Sequence, residues 1–135
     1  MTAPGLANVA VALAREHLAA GRPLRTRTAG HSMWPLYRDG EAVEVLPLGD
    51  APLAVGDVVL SARSGRLVLH RIVALAEERV WTKGDAIGRR DEAISRCDIL
   101  GRLRRRPWDR CLAGVSQLGV PALARALALA RRLGG

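Results

Sequence analysis

The stretch "DVVLSARSGRLVLHRIVAL", residues 57–75, decides the fold. Two runs rich in Val, Leu and Ile stand on either side of Ser64-Gly65, a dipeptide suited to a tight turn. The reading is a β-hairpin, with one arm ending near Arg63 and the other starting at Arg66. In the second arm, period-two alternation puts His70 on the face of Val68 and Ile72, with Leu67, Leu69 and Val73 on the other.

Similar short runs lie on both sides of the hairpin: "EAVEVLPL", "RVWTKG" and "DILGRL". Gly40, Gly49-Asp50, Gly56-Asp57 and Gly84-Asp85 punctuate them. This is the texture of a mainly β, antiparallel domain over residues 24–106. Before it, residues 1–23 read as an amphipathic helix. Leu6, Val9, Leu13 and Ala20 fall near helical spacing, His17 is partly exposed, and Gly21 and Pro23 form the stop. After it, residues 107–135 read as a basic, amphipathic helical segment. Leu123, Leu127 and Ala130 share one face, Arg125 and Arg132 fall on the other, and Pro121 stands in the first turn.

The chain has 135 residues, enough for one domain with a modest core, and no phenylalanine, so Leu, Val and Ala must fill that core. Net charge is +8 and unevenly placed. Residues 1–101 hold 13 basic and 12 acidic side chains, a balance of +1. Residues 102–135 hold eight arginines against Asp109, a balance of +7. Such an arm suits an anionic membrane surface, nucleic acid or an acidic partner, although a chain with twenty Arg and one Lys also carries arginine as a general habit. Nucleic acid is not the expected partner: no helix-turn-helix or stacking motif is visible, and only Trp108 accompanies Arg104, Arg105 and Arg106. Cys97 and Cys111 have neither zinc-site nor redox-pair spacing and read as ordinary thiols. No metal and no cofactor is expected. The N-terminus has no secretory-signal pattern. The uncharged stretch from Cys111 to Ala124 is too short to span a bilayer, which takes about 20 apolar residues. The expected location is the cytoplasm or the periphery of a membrane.

"GHSMWP", residues 30–35, offers a candidate nucleophile in Ser32. A serine hydroxyl needs a base to take its proton, and an imidazole, with an ordinary pKa of about 6.5, suits that task near neutrality. His17 lies in the N-terminal helix. His31 is adjacent to Ser32, and neighbouring side chains of extended backbone point to opposite faces. His70 remains, half enclosed by aliphatic residues, as a base or as a core-edge histidine bonded to a backbone carbonyl. The acidic candidates are Asp85 and Asp91, both in "TKGDAIGRRDEA". Asp85 also reads as a Gly-Asp turn residue, and Asp91 as a cap or an ion-pair partner of Arg89 or Arg90. Lys83, if buried and neutral, would be an alternative base, although Asp85 nearby favours its charged form.

From Gly30 to Leu103 the segments resemble the type I signal peptidase superfamily of serine proteases, which includes the self-cleaving domains of SOS-response repressors. "GHSMWPLYRDGEAVEVLPL" is similar to the Gly-x-Ser-Met-x-Pro box and the strand after it; "LAVGDVVLSA" resembles the Val-Gly-Asp-Val-Val box. "LVLHRIVAL" resembles the box of the general base, "WTKGDAIGRRDEAI" the Thr-Lys-Gly-Asp box with a second aspartate six residues on, and "DILGRL" the closing strand. The resemblance implies the signal-peptidase-like antiparallel β fold, here between two flanking helices. Histidine at the base position matches the archaeal and endoplasmic-reticulum branch, which implies Ser32 as nucleophile, His70 as base, Asp91 orienting His70 and Asp85 supporting the site. Gly30, Met33 and Pro35 are assigned to the substrate-binding side. The implied activity is a serine endopeptidase that cleaves a leader, signal or propeptide bound in extended form, with small side chains next to the cleavage point.

Two departures stand out. That branch usually has Ser-Gly ahead of the nucleophile where this chain has Gly30-His31, which leaves backbone N–H groups near Ser32 to hold the oxyanion. Loss of one such donor lowers turnover by about 10²–10³. Family members also usually carry a transmembrane anchor, which is not evident here. The contrasting expectation is a catalytically inactive binding module whose basic C-terminal arm contacts anionic lipid, nucleic acid or a protein.

Overall fold

The computed structural model describes residues 5–34 and 36–105, together with Arg125 and Arg132. It is mainly β: one helix, α1 (Leu6–Ala19), and one seven-stranded antiparallel sheet. The strands are β1 (Leu24–Arg27), β2 (Ala42–Leu46), β3 (Val58–Arg63), β4 (Arg66–Leu75), β5 (Arg79–Lys83), β6 (Ile94–Ser95) and β7 (Ile99–Leu103). Their order across the sheet is β1-β2-β7-β3-β4-β5-β6. A C-terminal helix over residues 107–135 lies outside the described residues, apart from Arg125 and Arg132.

The β3–β4 hairpin forms as the sequence suggests. Arg63 pairs with Arg66, and the two residues between them take positive φ, Ser64 at 48° and Gly65 at 75°. Two successive left-handed residues make the turn whose twist matches that of the strands it joins. The register then places His70 opposite Val59 and Leu69 opposite Leu60. β4 is ten residues long and changes partner along its length. Arg66 to Arg71 pair with β3, whereas β5 pairs only from Arg71 onward, with a register shift between Ile72 and Ala74. The stretch before Arg71 therefore has a strand on one side only.

Each face of the sheet has its own apolar cluster, as the period-two pattern demands. On one face Val45, Val58, Leu60, Leu100 and Leu103 pack with Ala14 and Leu18 of α1 and with Met33, Leu36 and Tyr37. On the other, Val59, Ile72, Val80 and Ile99 form a smaller cluster. Full burial of a Val or Leu side chain contributes about 1.5–3 kcal/mol, so these layers hold the hairpin rigidly beneath the site.

The helix appears where expected, but its buried face differs. Val9 is 40% and Leu13 62% exposed, whereas Ala14 and Leu18 are buried. The helix turns its small residue to the sheet, and Leu18 packs where β7 has Gly101: a Cβ there would lie 3.1 Å from Leu18 Cδ1 and 2.7 Å from the Leu46 carbonyl oxygen. Arg15 fixes the rotation by donating to the Cys97 carbonyl at 2.8 Å. The helix ends as Gly21 and Pro23 suggest, with Gly21 at φ 81°. The Gly21 and Arg22 N–H groups bond back to the Leu18 and His17 carbonyls. His17 is half-buried and shares a 2.9 Å hydrogen bond with the Pro23 carbonyl. Among the described residues, no helix is long and apolar enough to cross a membrane.

Candidate active site

Ser32 stands in a run of turns between β1 and β2. Gly30 enters it at φ 82°, a conformation that a residue with a Cβ adopts only under strain. Asp39 Oδ1 holds this entry by accepting the Gly30 N–H at 2.9 Å. The Trp34 N–H bonds to the His31 carbonyl at 3.1 Å and the Tyr37 N–H to the Met33 carbonyl at 3.0 Å. Met33 and Tyr37 are buried and anchor the turns in the core below. The backbone of Ser32 is tied to the loop after β5, whose Ala86 N–H donates to the Ser32 carbonyl at 2.8 Å.

His70 projects from β4 to meet this turn. Its Nε2 lies 3.2 Å from Ser32 Oγ and its Nδ1 lies 2.6 Å from Asp91 Oδ2. The three side chains thus form one hydrogen-bonded chain from hydroxyl to imidazole to carboxylate. The Asp91 N–H bonds to the Thr82 carbonyl at 2.8 Å, which fixes the loop, and the Thr82 hydroxyl donates to Asp91 Oδ2 at 2.7 Å. Burial raises the Asp91 pKa, but the hydrogen bonds from His70 and Thr82 and the charges of His70 and Arg63 outweigh it. The net result lies below the ordinary carboxylate value, so Asp91 is ionised at neutral pH.

That lowered pKa sets a stability window. The carboxylate's contribution is fully present above the unfolded value of about 3.9 and is lost as pH falls through the lower folded value. The stability difference between the native protein and Asp91→Asn is therefore expected to shrink as pH falls below about 4. Denaturant melts from about pH 5 downward measure it, and a difference that keeps growing below about pH 4 contradicts the assignment.

No family model, curated protein or solved structure matches this chain. The site therefore rests on its own residues.

Asp85 pairs with Arg71. Its carboxylate makes two 3.0 Å bonds to the Arg71 guanidinium, and both side chains are fully buried. Arg71 also donates to the Gly56 carbonyl at 2.7 Å. The Asp85 N–H points at Met33 Sδ, 3.4 Å away and next to Ser32. Asp85 thus packs against the nucleophile turn while paired with Arg71. Period two explains this: Arg71 follows His70 in β4, so its side chain points to the opposite face. Lys83 is buried, and its ammonium donates to the Gly84 carbonyl at 3.1 Å. Burial lowers its pKa, while Asp85 and Asp91 raise it. Gly30 and Met33 line the groove beside Ser32, and Pro35 lies outside the described residues.

Sequence reading did not single out Thr82, Arg63 or Arg71. Thr82 carries a weak signal, since a hydroxyl in β5 beside the aspartate-bearing loop is placed to donate to it. Gly84 has a sharper requirement. A Cβ there would lie 2.8 Å from the Ser32 carbonyl oxygen and 3.0 Å from Ser32 Cβ, so one side or the other must move. Gly84→Ala is expected to slow any reaction of Ser32 by roughly 10²-fold, the cost of about 1 Å of misplacement, while the protein stays folded. Reaction rates with a serine-directed probe, read beside circular dichroism, check this.

Proposed function

We propose that this protein is a serine endopeptidase of the signal peptidase kind. The observation that carries the reading is the unbroken contact from Ser32 Oγ through His70 to Asp91, at 3.2 and 2.6 Å, at the edge of a long groove. In this reading Ser32 Oγ attacks the carbonyl carbon of the scissile peptide bond as His70 Nε2 takes its proton. The imidazolium passes that proton to the leaving amine, and the N-terminal half of the substrate stays on Ser32 as an ester. Water then attacks the ester with His70 again as base, releasing the acid product and restoring the hydroxyl. Asp91 keeps Nδ1 protonated and stabilises the imidazolium. The Ser32 N–H serves the oxyanion, with no hydroxyl at Gly30 to assist.

The groove supports a peptide substrate. Its volume is about 510 Å³, and its walls are β1, from Leu24 to Arg27, and the Arg66–His70 half of β4. β1 ends the sheet and that half of β4 pairs only with β3, so an extended peptide can add its backbone hydrogen bonds there. Met33, Tyr37 and Leu60 also line the groove, and suit small apolar side chains near the cleavage point. Leaders, signal peptides and propeptides are the proposed substrates.

The test is incubation with a fluorophosphonate probe followed by peptide mapping. An adduct on Ser32 supports the reading. No adduct, or one on another serine alone, overturns it.

A further inference from the structure

We infer that Arg63, the last residue of β3, is a positioning residue for the Ser32–His70–Asp91 chain. The inference rests on the peptidase reading and adds to it a fourth and a fifth member, Arg63 and Thr82.

Period two puts Arg63 on the face of Val59 and Ser61, and Val59 is the register partner of His70. From the far end of the hairpin its guanidinium reaches back along that face. Nη2 donates to Thr82 Oγ1 at 2.8 Å, and Nη1 donates to the Glu92 carbonyl at 2.8 Å. Nη2 also stands 3.9 Å from Asp91 Oδ2, within reach of an ion pair but too far for a hydrogen bond. The side chain is only 17% exposed.

These contacts do two things. A hydroxyl has one proton, and because Thr82 Oγ1 accepts from Arg63 its proton is free for Asp91 Oδ2, where it is found at 2.7 Å. The second arm clamps the carbonyl of the residue after Asp91 and so fixes the backbone that carries the carboxylate. Oδ2 then sits between two donors, Thr82 and His70, and the ring is held toward Ser32. A planar fork suits this, since Nη1 and Nη2 reach the oxygen on β5 and the carbonyl on the loop from two separate nitrogens, whereas a lysine would have to reach both from one. Among the described residues Arg63 Nε is buried with no hydrogen-bond partner, an unfavourable state that an apolar side chain would avoid. Arg63 does not line the groove, so it acts on the chain of groups and not on the substrate.

The experiment compares native protein with Arg63→Met, Arg63→Lys, Thr82→Val and the double variant Arg63→Met/Thr82→Val. Two readouts are used: the rate of fluorophosphonate labelling of Ser32, and the downfield proton resonance of the short His70–Asp91 hydrogen bond. The expected results are labelling at least roughly tenfold slower in each single variant, a double variant no slower than the slower single, and a displaced or lost resonance in Arg63→Met. Arg63→Lys keeps charge and length and carries the test if Arg63→Met fails to fold. Near-native labelling in either Arg63 variant, or losses that multiply in the double, overturns the inference. Absence of labelling in the native protein overturns the peptidase reading instead, and the proton resonance then still decides whether Arg63 positions Asp91 and His70.

Discussion

With Ser32 replaced by alanine, fluorophosphonate labelling is expected to vanish; with Asp91 replaced by asparagine, it is expected to slow by about 10⁴-fold while the fold persists. The reasons differ. Ser32→Ala removes the atom that forms the bond. His70→Ala leaves a hydroxyl whose proton has nowhere to go, and labelling falls to background. Asp91→Asn is nearly isosteric, but its amide can present N–H where the carboxylate presented only acceptors. Nδ1 then accepts, Nε2 carries the proton, and Nε2 no longer takes one from Ser32 Oγ at 3.2 Å. The charge that stabilises the imidazolium is lost as well. Titration of active serines with the probe, beside circular dichroism, measures both effects. Equal labelling of native protein and all three variants would remove the enzymatic reading.

The second large effect is on stability. Asp85→Ala is expected to destabilise the protein by about 3–5 kcal/mol, because it leaves the Arg71 guanidinium buried without its counter-charge. For a domain of this size that lowers the melting temperature by roughly 12 °C or more. The double variant Arg71→Met/Asp85→Leu is expected to recover most of the loss, since removing both charges ends the desolvation penalty. Thermal melts of the three proteins decide it, and a double variant as unstable as Asp85→Ala contradicts the account. The same pair bears on reactivity through Met33, which the Asp85 N–H contacts beside Ser32. Labelling of the folded double variant is therefore expected to fall less than that of Asp91→Asn.

What the sequence makes visible follows from where local chemistry dominates. Ser64-Gly65 announces its turn because two positive φ values in a row suit few residue pairs, and β2, β3, β4, β5 and β7 announce themselves by apolar runs that must be buried. β1, "LRTR", and β6, only Ile94–Ser95, lie at the sheet's two edges and carry no such run. The rotation of α1 was not legible, because Val9 and Leu13 have the same spacing logic as Ala14 and Leu18. Which pair is buried depends on Gly101, across the fold in β7. At the site, Ser32, His70 and Asp91 could be named from short motifs in order along the chain. Asp85 was read as supporting the site, but its partner Arg71 was not foreseen, because strand alternation at His70-Arg71 is what turns that guanidinium toward it. Arg63 was invisible for the opposite reason. It sits beside a hairpin turn, where an arginine ordinarily faces water, and its contacts are 19 and 29 residues away.

The loop after β5 is held by hydrogen bonds from Ala86 to the Ser32 carbonyl, from Ile87 to the Gly84 carbonyl and from Asp91 to the Thr82 carbonyl. The three residues between Ile87 and Asp91, namely Gly88, Arg89 and Arg90, are all exposed. Such a span, tethered firmly at each foot, is free to lengthen or change composition without disturbing either anchor, and each doubling of its length adds only about 0.6 kcal/mol of closure entropy. It is a place on this molecule where evolution or an engineer can graft new recognition elements beside the serine while leaving the proton-handling groups where they stand.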